Sequence, residues 1–298
     1  MPHYFKKITD SEGMEWYLSA AIVVTLAVML SASFFDWRFR EVPDIHWWIL
    51  GVAGLALTAA SLWPLRTEWT LMLIGASMIL IFILLDVDVP RIVSAVFCIA
   101  MTVLFIYPAA TSFDDPVVRR LLVIPACFII FYLLFMFGIL RGGADAKCLM
   151  VLAMAFQTYP LMGDLPLIPV PAYNIQLVFS FPIAVLFHAA LFSFAWLFWT
   201  VIRKIYRKDD PVDMYTLSWY RMSIEEARRS HVWPKQDAVG GMIVNVKGIP
   251  DDGALDRLEA AGAKDVWVTP IIPFMVPITA AIIFILSVGS LLNILLSL

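Results

Sequence analysis

Charge is scarce along this chain. Only 15% of its 298 residues are Asp, Glu, Lys or Arg, and the net charge is −3. With so little positive charge and no basic-aromatic stripe, the chain offers nothing to nucleic acid. Cysteine is nearly absent as well. Cys98, Cys127 and Cys148 all lie in apolar segments and no C-x-x-C pair occurs, which excludes a zinc ribbon and makes a disulfide framework a poor reading. Small apolar packing residues are the simpler assignment. His46 and His188 stand in apolar stretches with no second ligand at i+4, so interhelical hydrogen bonds suit them better than a metal. There is no repeat, no low-complexity tract and no Gly-rich phosphate loop.

What the chain does have is apolar surface. Hydrophobic residues make up 61% of it and the mean hydropathy is +0.85, which is the composition of a polytopic membrane protein in contact with lipid bilayer. The first apolar run, Trp16 to Phe35, is too long for the core of a signal peptide and no small-x-small site follows it, so it is expected to span. Further helices are expected at Ile45–Leu62, Trp69–Leu85, Ile92–Ala109, Leu121–Leu140, from Asp145 to about Tyr159, at Gln176–Ile202 and at Pro273–Leu296. Trp47, Trp48, Trp63 and Trp69 fall at helix ends, where an interfacial belt places them. The expected architecture is an all-α polytopic membrane protein of about eight transmembrane helices, with a small α/β insert before the last.

Three regions follow: a transmembrane catalytic domain at 1–202, an insert at 203–269 and a final helix at 270–298. Within the insert, Ser223-Ile224-Glu225-Glu226 reads as a capping box opening a short helix through Arg229. Met242–Val246 and Val266–Val268 read as strands around a helix at Gly253–Ala261, stopped by Gly262. A docking or regulatory surface is all that the insert's residues suggest.

Two aspartates stand out. Asp36 ends the first apolar run, and Asp145 follows Arg141-Gly142-Gly143-Ala144 at the end of another. Ionisable groups at membrane depth are costly and default to function with a named partner. Each has a plainer alternative: a solvated link carrying Arg38, Arg40 and Asp44 for the first, and a glycine turn capped by Asp145 for the second. For Arg38 and Arg40 alone, fixing topology is the favoured role. An eight-span count puts four helices between the aspartates, hence both on one side. Nine basic link residues on that side against five on the other assign it to the cytoplasm. Asp86 and Asp88, with Glu41 and Asp44, would give that face negative charge able to attract a basic peptide.

Taken together, the motifs resemble the signature of the type IV prepilin peptidases and archaeal preflagellin (archaellin) peptidases. In that family a first aspartate ends a helix and is followed by basic residues and a Pro-Asn or Pro-Asp pair, matched here by Asp36, Arg38, Arg40, Pro43 and Asp44. A second lies in a GxGD motif with a lysine two residues on, matched by Gly142, Asp145 and Lys147. Ala144 departs from the bacterial glycine and is similar to the archaeal branch, as is the segment Trp267 to Phe274. Bacterial relatives often carry a four-cysteine zinc element and methylate the new terminus. Neither C-x-x-C pair is present, so the resemblance implies proteolysis without methyl transfer and without a cofactor. The Pro-Ala-Leu motif of presenilin-like proteases is missing.

The resemblance implies a membrane aspartic endopeptidase that removes the short class III signal peptide of pilin-like or archaellin-like precursors at the cytoplasmic face. Asp36 and Asp145 would activate water and protonate the carbonyl. Two carboxyl groups near contact cannot both ionise cheaply, so such a pair holds one proton. Asp145, at the start of its helix, suits the base; Asp36, at the end of its own, suits the acid. Gly142 and Gly143 would admit a substrate backbone. Two other classes remain open: an ion- or proton-coupled transporter using intramembrane carboxylates, and a membrane scaffold with an inert pair.

Overall fold

The structure, a computed structural model, describes residues 12–84, 103–140, 142–170, 172–207, 219–246, 251 and 253–297. The chain divides into two units, Met1–Ala190 with Pro273–Leu298, and Leu191–Ile272.

The first unit is helical. Helix α1 (Glu12–Phe39) is followed by α2 (Ile45–Leu62) and a 3-10 turn at Trp63–Leu65. Pro64 begins that turn, where its missing N–H costs nothing. Helix α3 (Thr70–Leu84) comes next, and residues 103–111 are helical. Helix α4 (Pro116–Met136) starts five residues before the expected Leu121 because the Asp115 side chain accepts from the Val117 N–H at 2.8 Å with Pro116 in the first turn. That draws Arg119 and Arg120 into the helix. Helices α5 (Gly143–Ala155), α6 (Tyr173–Val178) and α7 (Phe181–Arg207) follow, the last entering the second unit.

After the second unit, the chain returns as α10 (Met275–Ser287) and α11 (Leu291–Ser297). Helix α2 packs on α1 and α5, α4 on α5, and α1 on α10. Outward-facing Val23, Leu30 and Phe34 on α1, and Ile129, Leu133 and Met136 on α4, are exposed, as lipid-facing side chains are.

The expectation of about eight spanning helices is not met. Among the described residues three helices are long and apolar enough to cross a bilayer, at Trp16–Phe39, Ile45–Leu65 and Pro116–Met136. Among the described residues the other apolar helical stretches, Thr70–Ile81, Phe181–Ala195 and Met275–Ser287, are shorter. Helix α5 has 13 residues, about 20 Å at 1.5 Å per residue, against a hydrocarbon core of roughly 30 Å. The stretch expected as one helix from Gln176 is broken into α6 and α7 ahead of Pro182. The last one is broken at Gly289, whose φ of +108° an L side chain rarely adopts. Most of the fourth expected helix, and Asp86, Asp88 and Arg141, lie outside the described residues. The chain is a membrane protein with several spans.

Small residues bring α2 close to its neighbours. A Cβ on Gly54 of α2 would fall 2.8 Å from Ala155 Cβ and 2.9 Å from its Cα, and one on Gly51 would fall 3.2 Å from Ile81 Cδ1. Bare glycines let the α2 and α5 backbones meet. Thr58, one turn further on, donates to the Met154 carbonyl at 2.8 Å, and the buried Gln157 amide donates to the Ala153 and Met154 carbonyls at 2.8 and 2.9 Å.

The second unit is small and mixed. Strands β1 (Tyr220–Ser223), β2 (Val232–Pro234) and β5 (Asp265–Pro270) form an antiparallel sheet with β5 central, while β3 (Gln236–Val239) and β4 (Met242–Asn245) form a separate hairpin. Helix α8 (Ile224–Arg229) is capped by Ser223, whose hydroxyl accepts from the Glu226 N–H at 3.1 Å. Together with α9 (Ala254–Ala260) it supplies the apolar side chains that pack on Val266 and Val268. The two expected strands exist, yet they pair with different partners rather than with each other. Gly240 and Gly241, at φ +59° and +81°, form a two-residue hairpin turn of the primed type that matches strand twist. Arg257 grips Asp237 through two hydrogen bonds of 2.9 and 2.7 Å, and this pairing holds the Asp237 carboxyl below its usual range.

Candidate active site

Asp36 sits in the last turn of α1, because that helix continues past the apolar run to Phe39. Its Oδ2 accepts from the Met275 backbone N–H at 3.0 Å. Met275 opens α10, and the first N–H groups of a helix have no partner within it. Asp36 therefore serves as a cap supplied from a distant stretch of chain. A polar seam fixes the two helices there. Ser33 Oγ donates to the Met275 carbonyl at 3.0 Å and lies 2.7 Å from Thr279 Oγ1, which donates to the Met29 carbonyl at 3.2 Å. Asp36 is half-buried.

Asp145 is the third residue of α5, whose N-cap is Gly142. A Cβ on Gly142 would overlap Asp145 Oδ2 and come 2.8 Å from its Cγ. The space that the missing Cβ leaves is thus occupied by the Asp145 carboxyl itself. Gly143 differs: its Cβ would meet nothing nearer than the Phe135 ring at 3.9 Å. Ala144, between Gly143 and Asp145, is half-buried. The Asp36 and Asp145 carboxylates are near enough for a direct charge–charge interaction.

The two motif segments are also tied by an ion pair. Lys147 Nζ stands 3.0 and 3.1 Å from the two Asp44 carboxylate oxygens, joining the loop after α1 to the first turns of α5. The same loop is held by His46, whose Nδ1 faces the Pro43 carbonyl at 2.9 Å and whose Nε2 lies 3.0 Å from Ser31 Oγ on α1. Nδ1 thus carries the proton and Nε2 accepts. His188 similarly bonds the Ala184 carbonyl at 2.8 Å and accepts from the Leu291 N–H at 3.1 Å.

The two arginines of the first motif part company. Arg38 is exposed, whereas Arg40 is half-buried and has φ +60°, a left-handed conformation uncommon for a side-chain-bearing residue. Burial pulls the Arg40 guanidinium below its usual range, partly offset by the Asp36 charge. Among the described residues no group of three or more His, Cys, Asp or Glu is placed to hold a metal ion.

Met275, Ser33 and Thr279 are the site residues that sequence reasoning misses. A serine and a threonine inside otherwise apolar runs were the available signal, but the Met275 contribution is a backbone N–H and has no residue type to betray it.

No protein-family model matches the chain. It is similar to a preflagellin peptidase of Methanococcus voltae, at 29% identity over 166 residues, which is 53% of this chain and 66% of that protein. A preflagellin peptidase of Methanocaldococcus jannaschii is 28% identical over 153 residues, 51% of this chain and 63% of the relative. The match thus spans a little under two thirds of either relative's length. This chain is a remote relative of the archaeal preflagellin peptidases.

Proposed function

We propose that the protein is a membrane aspartic endopeptidase that uses Asp36 and Asp145 to cut the class III signal peptide from archaellin-like or pilin-like precursors at the cytoplasmic face. The observation that carries this reading is that two carboxylates from distant stretches of an apolar chain lie within range of each other's charge, in a remote relative of preflagellin peptidases. One carboxylate takes a proton from water as it attacks the scissile carbonyl, and the other delivers a proton to the carbonyl oxygen. Helix position does not divide these roles as the sequence suggested. Asp145 lies in the first turn of α5, and Asp36 lies against the first N–H of α10, so each carboxylate meets the positive end of a helix.

Supporting features are the Met275 N–H that orients Asp36, the bare Gly142 under Asp145, and the Lys147–Asp44 tie between the segments. Membranes containing the protein, mixed with a tagged precursor, are expected to yield a shortened product. Asp36→Asn and Asp145→Asn should each abolish processing, by about 10³-fold or more, while the variant chains still accumulate in the membrane. Cleavage retained by either variant rules out the two-aspartate mechanism.

A further inference from the structure

The hairpin of β3 and β4 is the apolar outlier of the second unit. Tyr220, Met222, Ile224, Leu258, Val266 and Val268 are buried in that unit's core. Among the described residues from 219 to 271, the large apolar side chains left exposed are Val239, Met242, Ile243 and Val244, at 62%, 71%, 46% and 38%. All four residues of β4 are exposed, and the stretch from Ala238 to Val246 carries no charge. Asp237, just before it, is held by Arg257. A water-facing edge strand is normally guarded by charge, and this one is bare. Among the described strands β4 pairs with β3 alone. The two-residue turn and the 2.9 Å bond from the Val246 N–H to the Lys235 carbonyl put Met242, Val244 and Val246 in the bonded pairs. The backbone groups of Ile243 and Asn245 therefore face outward.

Chain connectivity keeps a bilayer within reach. Four residues, Ile271 to Phe274, join β5 to α10, at most about 18 Å when extended. Helix α10 begins against Asp36, in the last turn of the first span. Only Lys235 separates β3 from β2, which pairs directly with β5. A second copy of the chain is the weaker occupant, because four side chains and a four-residue edge fall well short of the roughly 800 Å² per partner that a stable interface buries. A bilayer needs no matching surface, only uncharged apolar side chains that can enter its interfacial layer. We propose that the β3–β4 hairpin is a membrane-docking element, with Val239, Met242, Ile243 and Val244 seated in the interfacial layer of the bilayer that the chain's own spans cross. The depth is shallow. In hydrocarbon the outward amides of Ile243 and Asn245 would go unsatisfied, whereas the headgroup layer still holds water for them. The inference needs the membrane reading alone and stands whether or not the protein cuts a precursor.

The test uses the full chain with Cys98→Ser, reconstituted in phosphatidylcholine nanodiscs that hold one copy each. A nitrobenzoxadiazole label on Met242→Cys should be quenched by phosphatidylcholine carrying a nitroxide near the headgroup. Aqueous iodide should quench it at least about twofold less than the same label on Glu225→Cys, since the interfacial layer excludes the ion. Glu225 is a suitable reference because its side chain is exposed on a charged helix of the same unit. Adding Val239→Asp and Ile243→Asp to the Met242→Cys chain should raise iodide quenching to the Glu225→Cys level and abolish quenching by the lipid nitroxide. The thermal midpoint should stay at the parental value, because both side chains are exposed. A Met242→Cys label that is open to iodide and untouched by the lipid nitroxide overturns the proposal. So does a label shielded in vesicles holding many copies but open in single-copy discs, which would make a second chain the occupant. Shielding without lipid quenching in either setting also overturns it, because the hairpin would then be covered by its own chain.

Discussion

At the scale of single residues, the two aspartates are legible in the sequence because a carboxylate that abuts an apolar run has a desolvation cost and few structural excuses. Their supports are not legible. Asp36 meets a main-chain N–H of Met275 on the far side of the chain, and main-chain groups leave no mark on residue identity. Gly142 is visible as a glycine, but its contact with a neighbouring side chain is not. What it accommodates is the carboxyl of Asp145, three residues on. A substitution pair tests this. In Gly142→Ala the new Cβ collides with the end of a movable side chain, so Asp145 must swing to another rotamer at a cost of about 0.5–1.5 kcal/mol. Stability should hardly change, while misplacing a reacting group by about 1 Å can lower turnover about a hundredfold. Gly143→Ala adds a Cβ that only touches the Phe135 ring at 3.9 Å and should keep within about threefold of parental processing, allowing a small gain in helix propensity. Equal losses from the two alanines in the precursor assay would show that the glycines serve backbone access instead.

At the scale of elements, Ile45–Leu62 is read from sequence with the bounds the structure gives, since Pro43-Asp44 and Trp63-Pro64 mark both ends chemically. Helix α4 begins before the expected Leu121 because Asp115 and Pro116 form its cap and first turn. The hairpin of β3 and β4 was missed although Gly240-Gly241 announces it. Two predictions concern how elements are held together. Gly54 lies against the Ala155 backbone, not against a side chain that can yield. Gly54→Ala should therefore separate α2 from α5 and cost about 1–3 kcal/mol, read as a lower thermal midpoint in detergent. The second concerns the loop after α1 and the start of α5, joined by Asp44 and Lys147. The Asp44 side chain is 48% exposed, so the pair contributes about 1 kcal/mol or less to stability. Its value is registration of the two aspartate-bearing segments. Asp44→Lys or Lys147→Asp alone should slow cleavage between about tenfold and a hundredfold. The exchange of both charges in one chain should recover most of the rate, and a double variant as slow as either single one would show that the residues act independently.

At the scale of the whole molecule, composition fixed the class while the count of spans failed. Hydropathy cannot tell a helix that crosses a bilayer from an apolar helix interrupted at Gly289, or from one of 13 residues such as α5. Losing the eight-span count also removes the parity step that placed Asp36 and Asp145 on one side. Orientation in the cell still rests on the basic residues near them. Arg38, Arg40 and Lys147 all lie close to the candidate site in sequence, and basic residues beside span ends are retained on the cytoplasmic side. Glu41 is exposed in the loop between the first two spans, and Cys127 and Cys148 are buried, so once Cys98 is replaced by serine a thiol introduced at position 41 gives a directional reporter. With the parent chain as the blank, Glu41→Cys should react with a membrane-impermeant maleimide in inverted vesicles and stay unlabelled in intact cells. The reverse pattern would put the aspartates outside the cell. A basic precursor head held in the cytoplasm would then be out of reach of its peptidase.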